Sequence, residues 1–280
     1  MRLTIRDVQK MKHDHQPIVV VTAYDATSAR LAERAEIPLI LVGDTLGMVV
    51  QGHDSTIPVT MEHALYHAGI VTRVTQKPLV IGDMPFMSYN LNAEQALTNA
   101  ARFMQEAGVT CVKIEGGVSI APTIRRLVEA GIPVMAHIGL TPQSVNQFGG
   151  FRVQGRELDS ARHLVSDALA VQEAGAFAVV LELVPARLAA HITKKLHIPT
   201  IGIGAGVGCD GQVQVFHDLL GLFDAFLPKH TKRYAEIGTR IQAALTEYRE
   251  DVQAGRFPSD ANAFGIPDDV LEALESEATS

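Results

Sequence analysis

Three apolar segments of the sequence each end in an acidic residue, and these ends are the first candidates for chemistry. Apolar runs of four or five residues without alternation are typical of strands that are buried on both faces. If such strands are parallel neighbours, their carboxyl ends meet at one edge and the acids converge. Carboxylates that converge repel one another unless a cation or a proton lies between them. The three acids are Asp44, Asp83 and Glu115.

Further polar groups lie at the ends of strand-like segments, and together they favour a hard divalent metal ion. Oxygen ligands without a cysteine cluster favour Mg²⁺ first and Mn²⁺ second, and Mg²⁺ leaves positions open for a bidentate α-keto acid. The ion would polarise the keto group, Lys113 would add positive charge beside the developing oxyanion, and Glu182 would be free to act as base. The candidate groups are Asp44, Thr45, Asp83, Lys113, Glu115, His137, Glu182 and the glycine-rich run 202–206.

The elements that must position these groups alternate regularly along the chain. About eight strand-like segments occur, most of them followed by a helix with a glycine close to its end. Eight βα units in roughly 250 residues match the size of a closed (β/α)₈ TIM barrel, whose catalytic residues lie at the carboxyl ends of the strands. An open doubly wound sheet is the structural alternative. The predicted strands are 18–22, 39–42, 79–81, 111–114, 133–136, 178–181, 199–203 and 213–215.

Predicted helices fill the intervals, with long loops at 47–58 and 139–155. No linker or change of composition interrupts the pattern before about Pro258, so we predict a single domain over 1–280. Its barrel core covers about 18–230, and a C-terminal helical tail covers about 231–280. We interpret the tail as a surface or subunit-contact element, with fraying as the alternative. The predicted helices are an N-terminal one at 4–12 and others at 25–35, 60–75, 93–107, 121–130, 160–174, 186–196, 232–252 and 268–274.

The composition excludes several classes of protein. The formal net charge is −7 and no Lys/Arg cluster occurs, which argues against a nucleic-acid partner. No segment is long and apolar enough to span a bilayer, and the N-terminus has no apolar signal core. Cys111 and Cys209 are too few for a disulfide scaffold or a cysteine-based zinc site. We therefore expect a cytoplasmic protein with neither a membrane nor a nucleic-acid partner.

Five sequence blocks resemble the signature motifs of the ketopantoate hydroxymethyltransferases (3-methyl-2-oxobutanoate hydroxymethyltransferases). They occur in the order of that family, and the similarity spans about residues 18 to 230. One block alone would be a weak signal, whereas the set is highly specific. The blocks are GDTLGMVVQGH at 43–53, IGDMPF at 81–86, VKIEGG at 112–117, HIGLTPQ at 137–143 and IGIGAG at 201–206.

The resemblance implies a (β/α)₈ barrel in which Mg²⁺ is held by Asp44, Asp83 and, less directly, Glu115. It implies that Glu182 is the proton acceptor. The implied reaction transfers a hydroxymethyl group from 5,10-methylenetetrahydrofolate to 3-methyl-2-oxobutanoate, giving 2-dehydropantoate (ketopantoate), the first step towards pantothenate. Self-association into a homodecamer or a similar ring is implied as well. The substrate contacts it implies are Asp44, Thr45, Asp83 and Lys113.

Two positions depart from the pattern of this family. Position 45 is usually serine there, and Thr45 keeps the hydroxyl while its added methyl group would tighten the pocket. Leu183 stands where cysteine is common. Neither substitution removes a group with a chemical role.

Other interpretations of single features stay open. A strand-end aspartate can simply cap the following helix. His63 and His67 have the i,i+4 spacing of a zinc pair, but no third ligand is near and a plain helix face is favoured. His137 is expected to form hydrogen bonds at the rim rather than bind metal. The run 202–206 lacks dinucleotide-loop spacing and would leave room for substrate or folate. Residues 147–151 form either a mobile lid or an ordinary exposed loop.

Three alternative functions compete with the transferase. The nearest is a metal-dependent lyase or aldolase that acts on a pyruvate-type enolate, because it would use the same acids. A Schiff-base aldolase would use Lys113 as its nucleophile. A non-catalytic barrel would bind a keto acid or a metal as a sensor.

Overall fold

Eight parallel strands close into a barrel in the computed structural model, which describes residues 1–223 and 226–278. Each strand pairs with the next in chain order, and the last pairs with the first. The predicted (β/α)₈ barrel is confirmed, and the open doubly wound sheet is excluded. The strands are β1 Ile18–Thr22, β2 Leu39–Val42, β3 Leu79–Asp83, β4 Cys111–Glu115, β5 Val134–Gly139, β6 Ala178–Glu182, β7 Thr200–Ile203 and β8 Gly211–Gln214.

Helices surround the barrel and extend beyond it. Short 3₁₀ turns occur at Val118–Ile120, Pro142–Ser144 and Asp260–Asn262. The α-helices are α1 Ile5–His13, α2 Ala26–Arg34, α3 Leu46–Val49, α4 Met61–Val74, α5 Ala93–Gln105, α6 Ala121–Glu129, α7 Val145–Phe148, α8 Leu158–Glu173, α9 Ala186–Lys195, α10 Phe216–Leu219, α11 Ile237–Gln253 and α12 Asp268–Glu277.

The prediction of a helix over 232–252 was wrong at its start. Helix α11 begins at Ile237, because the N–H groups of Tyr234 and Ile237 donate to Leu219 and Leu220 carbonyls, each at 2.8 Å. These bonds tie the segment back onto α10 and take the backbone out of helical geometry. The two predicted long loops are also partly helical, since α3 starts just before residue 47 and α7 lies within 139–155.

The strand register aligns the candidate groups at one end of the barrel. Asp83 on β3 lies opposite Lys113 on β4, and Glu115 on β4 lies opposite His137 on β5. Strand β6 then places Glu182 opposite Gly139 of β5. Parallel strands have their carboxyl ends on the same side, so this register brings the acids to the mouth of the barrel.

The opposite end of the barrel is closed by helix α1. Its Val8 is fully buried in the cluster that fills the barrel interior, together with Ile18 and Leu39 near the amino ends of their strands. Thr4 caps the helix and exchanges hydrogen bonds with Asp7 in a capping box. With this end packed shut, the mouth at the carboxyl ends is the open side.

No residue of the two C-terminal helices, α11 and α12, is buried. Apolar side chains such as Ile241, Leu245 and Tyr248 are exposed along α11. The single-domain assignment and the role of this tail stay predictions. Among the described residues, no helix combines the length and the apolar character required to cross a membrane.

Candidate active site

Two aspartates, a lysine and a glutamate form the buried centre of the barrel mouth. Asp83 accepts a hydrogen bond from Lys113 Nζ at 2.7 Å and another from the Asp44 backbone N–H at 3.1 Å. The same Nζ lies 3.3 Å from Glu115 Oε1. Each of these four residues is at most 6% exposed, so water screens their charges weakly.

A histidine connects this centre to Glu182. His137 Nδ1 lies 3.4 Å from Glu115 Oε1, and its Nε2 lies 3.3 Å from Glu182 Oε2. Both distances are ion-pair contacts, since neither ring nitrogen makes a well-aligned hydrogen bond within the described chain. Glu182 is the most accessible of these acids, with its side chain 13% exposed. It is therefore the carboxylate best placed to exchange a proton with a bound molecule.

The backbone around Glu182 is tightly specified. Gly139 has φ of +93°, and a Cβ at this position would lie 2.3 Å from the Glu182 carbonyl oxygen. Leu183 follows with φ of 48°, which few residues other than glycine adopt, and is held by hydrogen bonds to Ile203 and Gln154. Both features fix the direction in which the Glu182 side chain leaves its strand.

Gln143, Tyr89 and Tyr24, which were not predicted as site residues, complete the hydrogen bonds of the site. Gln143 Nε2 donates to Asp44 Oδ2 at 2.9 Å, and its Oε1 accepts from the Tyr89 hydroxyl at 2.6 Å. The Tyr24 hydroxyl and Thr45 Oγ1 are 2.6 Å apart. Gln143 falls within a motif block, which marked its neighbourhood without indicating its role.

Burial and neighbouring charges divide the acids into two groups. Burial, followed by the charge of Asp83, raises the pKa of Asp44 well above its usual range. Burial also raises the pKa of Asp83, against the opposing charge of Lys113. Burial works against ionisation of Glu115 too, but Lys113 and His137 outweigh it and hold its pKa below the ordinary value. Glu115 is thus stabilised as a carboxylate, whereas Asp44 lacks an adequate counter-charge.

The basic groups are held in their charged forms. Burial would lower the pKa of His137, but its contacts with Glu115 and Glu182 outweigh that effect and raise it to about 9. Burial likewise opposes the charge on Lys113, yet the surrounding carboxylates raise its pKa well above the usual value. A lysine that is protonated and ion-paired in this way is a poor nucleophile, which argues against the Schiff-base aldolase.

The donor set fits a divalent cation. If all four carboxyl groups are ionised, the charges of Lys113 and His137 balance two of them and leave two negative charges uncompensated in a buried site. Asp44 accepts one side-chain hydrogen bond, from Gln143, and has lone pairs to spare. Within 1–223 and 226–278, no three acidic, histidine or cysteine side chains converge as a complete direct ligand set. Mg²⁺ commonly uses one or two carboxylates and keeps several waters, so Asp44 and Asp83 meet its needs.

A small cavity of ≈ 50 Å³ joins these groups. Its lining combines polar and aliphatic groups, and the polar groups include every residue predicted for catalysis, substrate binding or metal binding. Its volume exceeds the roughly 10–15 Å³ that one water requires and suits a short organic acid. The polar lining comprises Thr22, Asp44, Thr45, Asp83, Lys113, Glu115, His137, Glu182 and Gln214, and the aliphatic lining comprises Leu41, Val180, Ile203, Val213 and Val215.

Other residues noted in the sequence lie outside this cavity. His63 accepts a hydrogen bond from the Thr60 N–H at the start of α4, and His67 Nδ1 lies 2.6 Å from the Tyr24 carbonyl oxygen. They act as helix-terminus and packing groups, so the zinc pair is not supported. In the glycine-rich run, a Cβ at Gly204 would lie 2.6 Å from the Leu183 side chain, and glycine avoids this contact.

Solved structures similar to this chain share its barrel. A phosphoenolpyruvate phosphomutase from Streptomyces platensis subsp. rosaceus matches with a TM-score of 0.60 at 18% identity, covering 99% of this chain and 96% of that one. A phosphonopyruvate hydrolase in complex with oxalate and Mg²⁺ matches with a TM-score of 0.56 at 15% identity, covering 99% and 97%. Identity this low concerns the fold alone, and it gives no support to the lyase alternative.

Similarity at the level of sequence is much closer. The family model described as ketopantoate hydroxymethyltransferase matches residues 2–260. The 3-methyl-2-oxobutanoate hydroxymethyltransferase of Chloroflexus aurantiacus is 60% identical over 99% of this chain and 98% of its own length. The enzyme of the same name from Dehalococcoides mccartyi is 56% identical over 98% and 99%. The chain therefore belongs to the ketopantoate hydroxymethyltransferase family.

Proposed function

We propose that this protein transfers a hydroxymethyl group from 5,10-methylenetetrahydrofolate to C3 of 3-methyl-2-oxobutanoate, giving 2-dehydropantoate. Membership of the family supports this reaction. The single structural observation that best supports it is the cavity in which Glu182 shares a small space with Lys113 and the Asp44–Asp83 pair. A keto acid needs such an arrangement, with a base on one side of C3 and positive charge beside its oxygens.

The residues Asp44 and Asp83 would hold a divalent cation, Mg²⁺ first and Mn²⁺ second, with Glu115 acting through a water molecule. When bound, the cation would polarise the keto oxygen and stabilise negative charge there. Glu115 is an unsuitable direct ligand, because its oxygens already face Lys113, His137 and the Gln143 N–H. Its role in this proposal is to keep Lys113 and His137 charged and in place.

The substrate would lie with its carboxylate and keto oxygens towards the polar lining of the cavity. Thr45 and Lys113 offer a hydroxyl and an ammonium group there, and Tyr24 fixes the Thr45 hydroxyl. The isopropyl group would contact Leu41 and Val180, which belong to the aliphatic lining. This orientation directs C3 of the keto acid towards Glu182.

The reaction begins with proton removal by Glu182. The C3–H bond breaks, the proton moves to a Glu182 oxygen, and the negative charge develops on the keto oxygen beside Lys113. C3 then forms a bond to the one-carbon unit of the folate as the two bonds between that carbon and the folate nitrogens break. A water molecule supplies the hydroxyl group, and the two nitrogens take up the other water proton and the proton that Glu182 removed. His137 holds Glu182 at 3.3 Å and orients it towards the substrate.

Hydrogen exchange tests the role of Glu182 directly. With Mg²⁺ and no folate, the enzyme is expected to exchange the C3 hydrogen of the keto acid with D₂O, and Glu182→Gln is expected to abolish this exchange. Glu106→Gln, which changes an exposed partner of Arg102, is the matched control and should exchange at the normal rate. Full exchange by Glu182→Gln would remove Glu182 from this role.

Assembly into a homodecamer and a cytoplasmic location also stay predictions. The exposed apolar side chains of α11, among them Ile241, Leu245 and Tyr248, favour self-association of this tail. Light scattering on a size-exclusion column is expected to give ten times the monomer mass, and a monomer would contradict the proposed assembly.

A further inference from the structure

A second and larger cavity opens directly beside the proposed reaction site. Its volume is ≈ 310 Å³, at the lower end of the roughly 300–1,000 Å³ that is usual for ligand pockets. It shares wall residues with the first cavity, so a molecule that occupies it contacts both the Thr45 hydroxyl and the proposed base. The residues common to both cavities are Thr45, Pro142, Glu182, Ile203 and Val215.

The walls of this second cavity suit a ring system whose two faces can pack against apolar side chains. Met48 and Val49 of α3 form one part, and Leu183 forms another. Three phenylalanines, Phe151, Phe223 and Phe226, also line it. Walls of this kind bind ring systems through burial and stacking, and they leave orientation to the few polar groups present.

The Asp218 carboxylate lines the cavity without a hydrogen-bond donor among the described residues. Asp218 on α10 is only 7% exposed, yet no residue within 1–223 or 226–278 donates a hydrogen bond to its carboxylate. Arg233, the nearby cation, donates to the Phe223 carbonyl and to Glu236 instead. Burial raises the pKa of Asp218 to about 6, against the charge of Arg233. A buried carboxylate without a donor is costly, and a ligand that supplies donors would relieve this cost.

The position of Asp218 is fixed by the barrel itself. Helix α10 directly follows β8, and its Phe216 N–H donates to Thr22 Oγ1 at the end of β1 at 3.0 Å. Thr22 lines the first cavity, whereas Asp218 lines the second. The carboxylate is therefore held at a set place relative to the reaction site.

We propose that this second cavity holds the pterin ring of the tetrahydrofolate co-substrate, with Asp218 accepting hydrogen bonds from the ring's amino-pyrimidinone edge. That edge presents two adjacent N–H donors, which match the two oxygens of one carboxylate. The anionic glutamate tail then points outward, where Lys229 lines the cavity and is exposed. The inference rests on the proposed function, which supplies the folate.

Binding of tetrahydrofolate, measured by equilibrium dialysis without keto acid, tests this site. Asp218→Asn keeps the shape but loses the paired acceptors, and it is expected to weaken binding about tenfold or more, as for a lost charged hydrogen bond. Met48→Trp, which fills the cavity from another wall, should weaken binding as well. Exchange of the C3 hydrogen needs no folate and should stay at the wild-type rate in Asp218→Asn.

The matched control is Asp167→Asn. Asp167 is 8% exposed, lies on α8 outside both cavities and should bind tetrahydrofolate normally when changed. Binding by Asp218→Asn within twofold of the wild type would overturn the inference. A wild-type enzyme that binds tetrahydrofolate but forms no ketopantoate would refute the proposed function and leave the site standing.

Discussion

Gln143 forms hydrogen bonds to four other residues of the candidate site, and its replacement by methionine is the sharpest test of the hydrogen-bond network. Its side chain donates to Asp44 at 2.9 Å and to the Met84 carbonyl at 3.0 Å, and it accepts from Tyr89 at 2.6 Å. The methionine side chain is similar to glutamine in length and volume, but it is apolar and makes none of these hydrogen bonds. Only the backbone N–H to Glu115 would remain.

The magnitude of the effect follows from these contacts. The bond to the Asp44 carboxylate contributes about 1.5–3 kcal/mol and each neutral bond about 0.5–1.5 kcal/mol. Because the three bonds share one side chain, we expect a loss of about 3 kcal/mol in the free energy of unfolding rather than their full sum. Loss of the Gln143 donor would also raise the pKa of Asp44 further and weaken the binding of a cation there.

Two measurements check this prediction. Urea unfolding should show the stability loss, and the Mg²⁺ concentration for half-maximal C3 exchange should rise severalfold. Gln95→Met is the matched control, because Gln95 makes two hydrogen bonds on the surface, to Met87 and Leu91. It should lose less than about 1 kcal/mol and keep its Mg²⁺ dependence. If Gln143→Met has the urea stability and the half-maximal Mg²⁺ concentration of the wild type, the hydrogen bonds of Gln143 do not position Asp44.

Three further predictions concern the same site. Because the pKa of His137 is raised to about 9, its ion pairs stabilise the metal-free fold by about 3 kcal/mol below pH 6.5, and this contribution should disappear as the pH rises through about 9. In His137→Asn the free energy of urea unfolding should therefore depend less on pH. An unchanged pH dependence would contradict the ion pairs. Lys113→Met leaves buried carboxylates unpaired and should cost about 3–5 kcal/mol by the same assay, with greater stabilisation by Mg²⁺ than in the wild type. Tyr24→Phe frees the Thr45 hydroxyl and should raise the KM for the keto acid severalfold in the ketopantoate assay, with the Mg²⁺ dependence unchanged.

The strand ends were predicted well from the sequence because a buried strand is specified by the apolar residues of its own short segment. Apolar runs that end in Asp44, Asp83 and Glu115 specify buried strands, and the barrel rule then places their ends together. The hydrogen bonds of Gln143 and Tyr24 depend on the path of loops and on which side chains face each other. No periodicity encodes such pairings, so only the structure identifies them.

The start of α11 was missed for a related reason. The residue types at 232–236 favour a helix, but the backbone N–H groups of Tyr234 and Ile237 donate to the carbonyls of Leu219 and Leu220 instead of forming helical hydrogen bonds. The same segment supplies the surroundings of Asp218, a carboxylate that no motif contains. Both the missed boundary and the inferred pterin site therefore arise where local propensity gives way to long-range contacts.

The placement of Glu182 explains how one site can both hold positive charge and perform base chemistry. Three of the four acids lie around Lys113 and contribute to keeping it charged, whereas the basic group that contacts Glu182 is His137. In the proposed reaction, proton removal neutralises Glu182 and moves its negative charge to the keto oxygen near Lys113. The charge thus moves from Glu182 to the neighbourhood of the Lys113 ammonium group and of the cation proposed at Asp44 and Asp83, whose positive charges would stabilise it in the transition state. A base placed among Asp44 and Asp83 would compete with the cation that these residues are proposed to hold, whereas Glu182 stands apart from them at the end of β6.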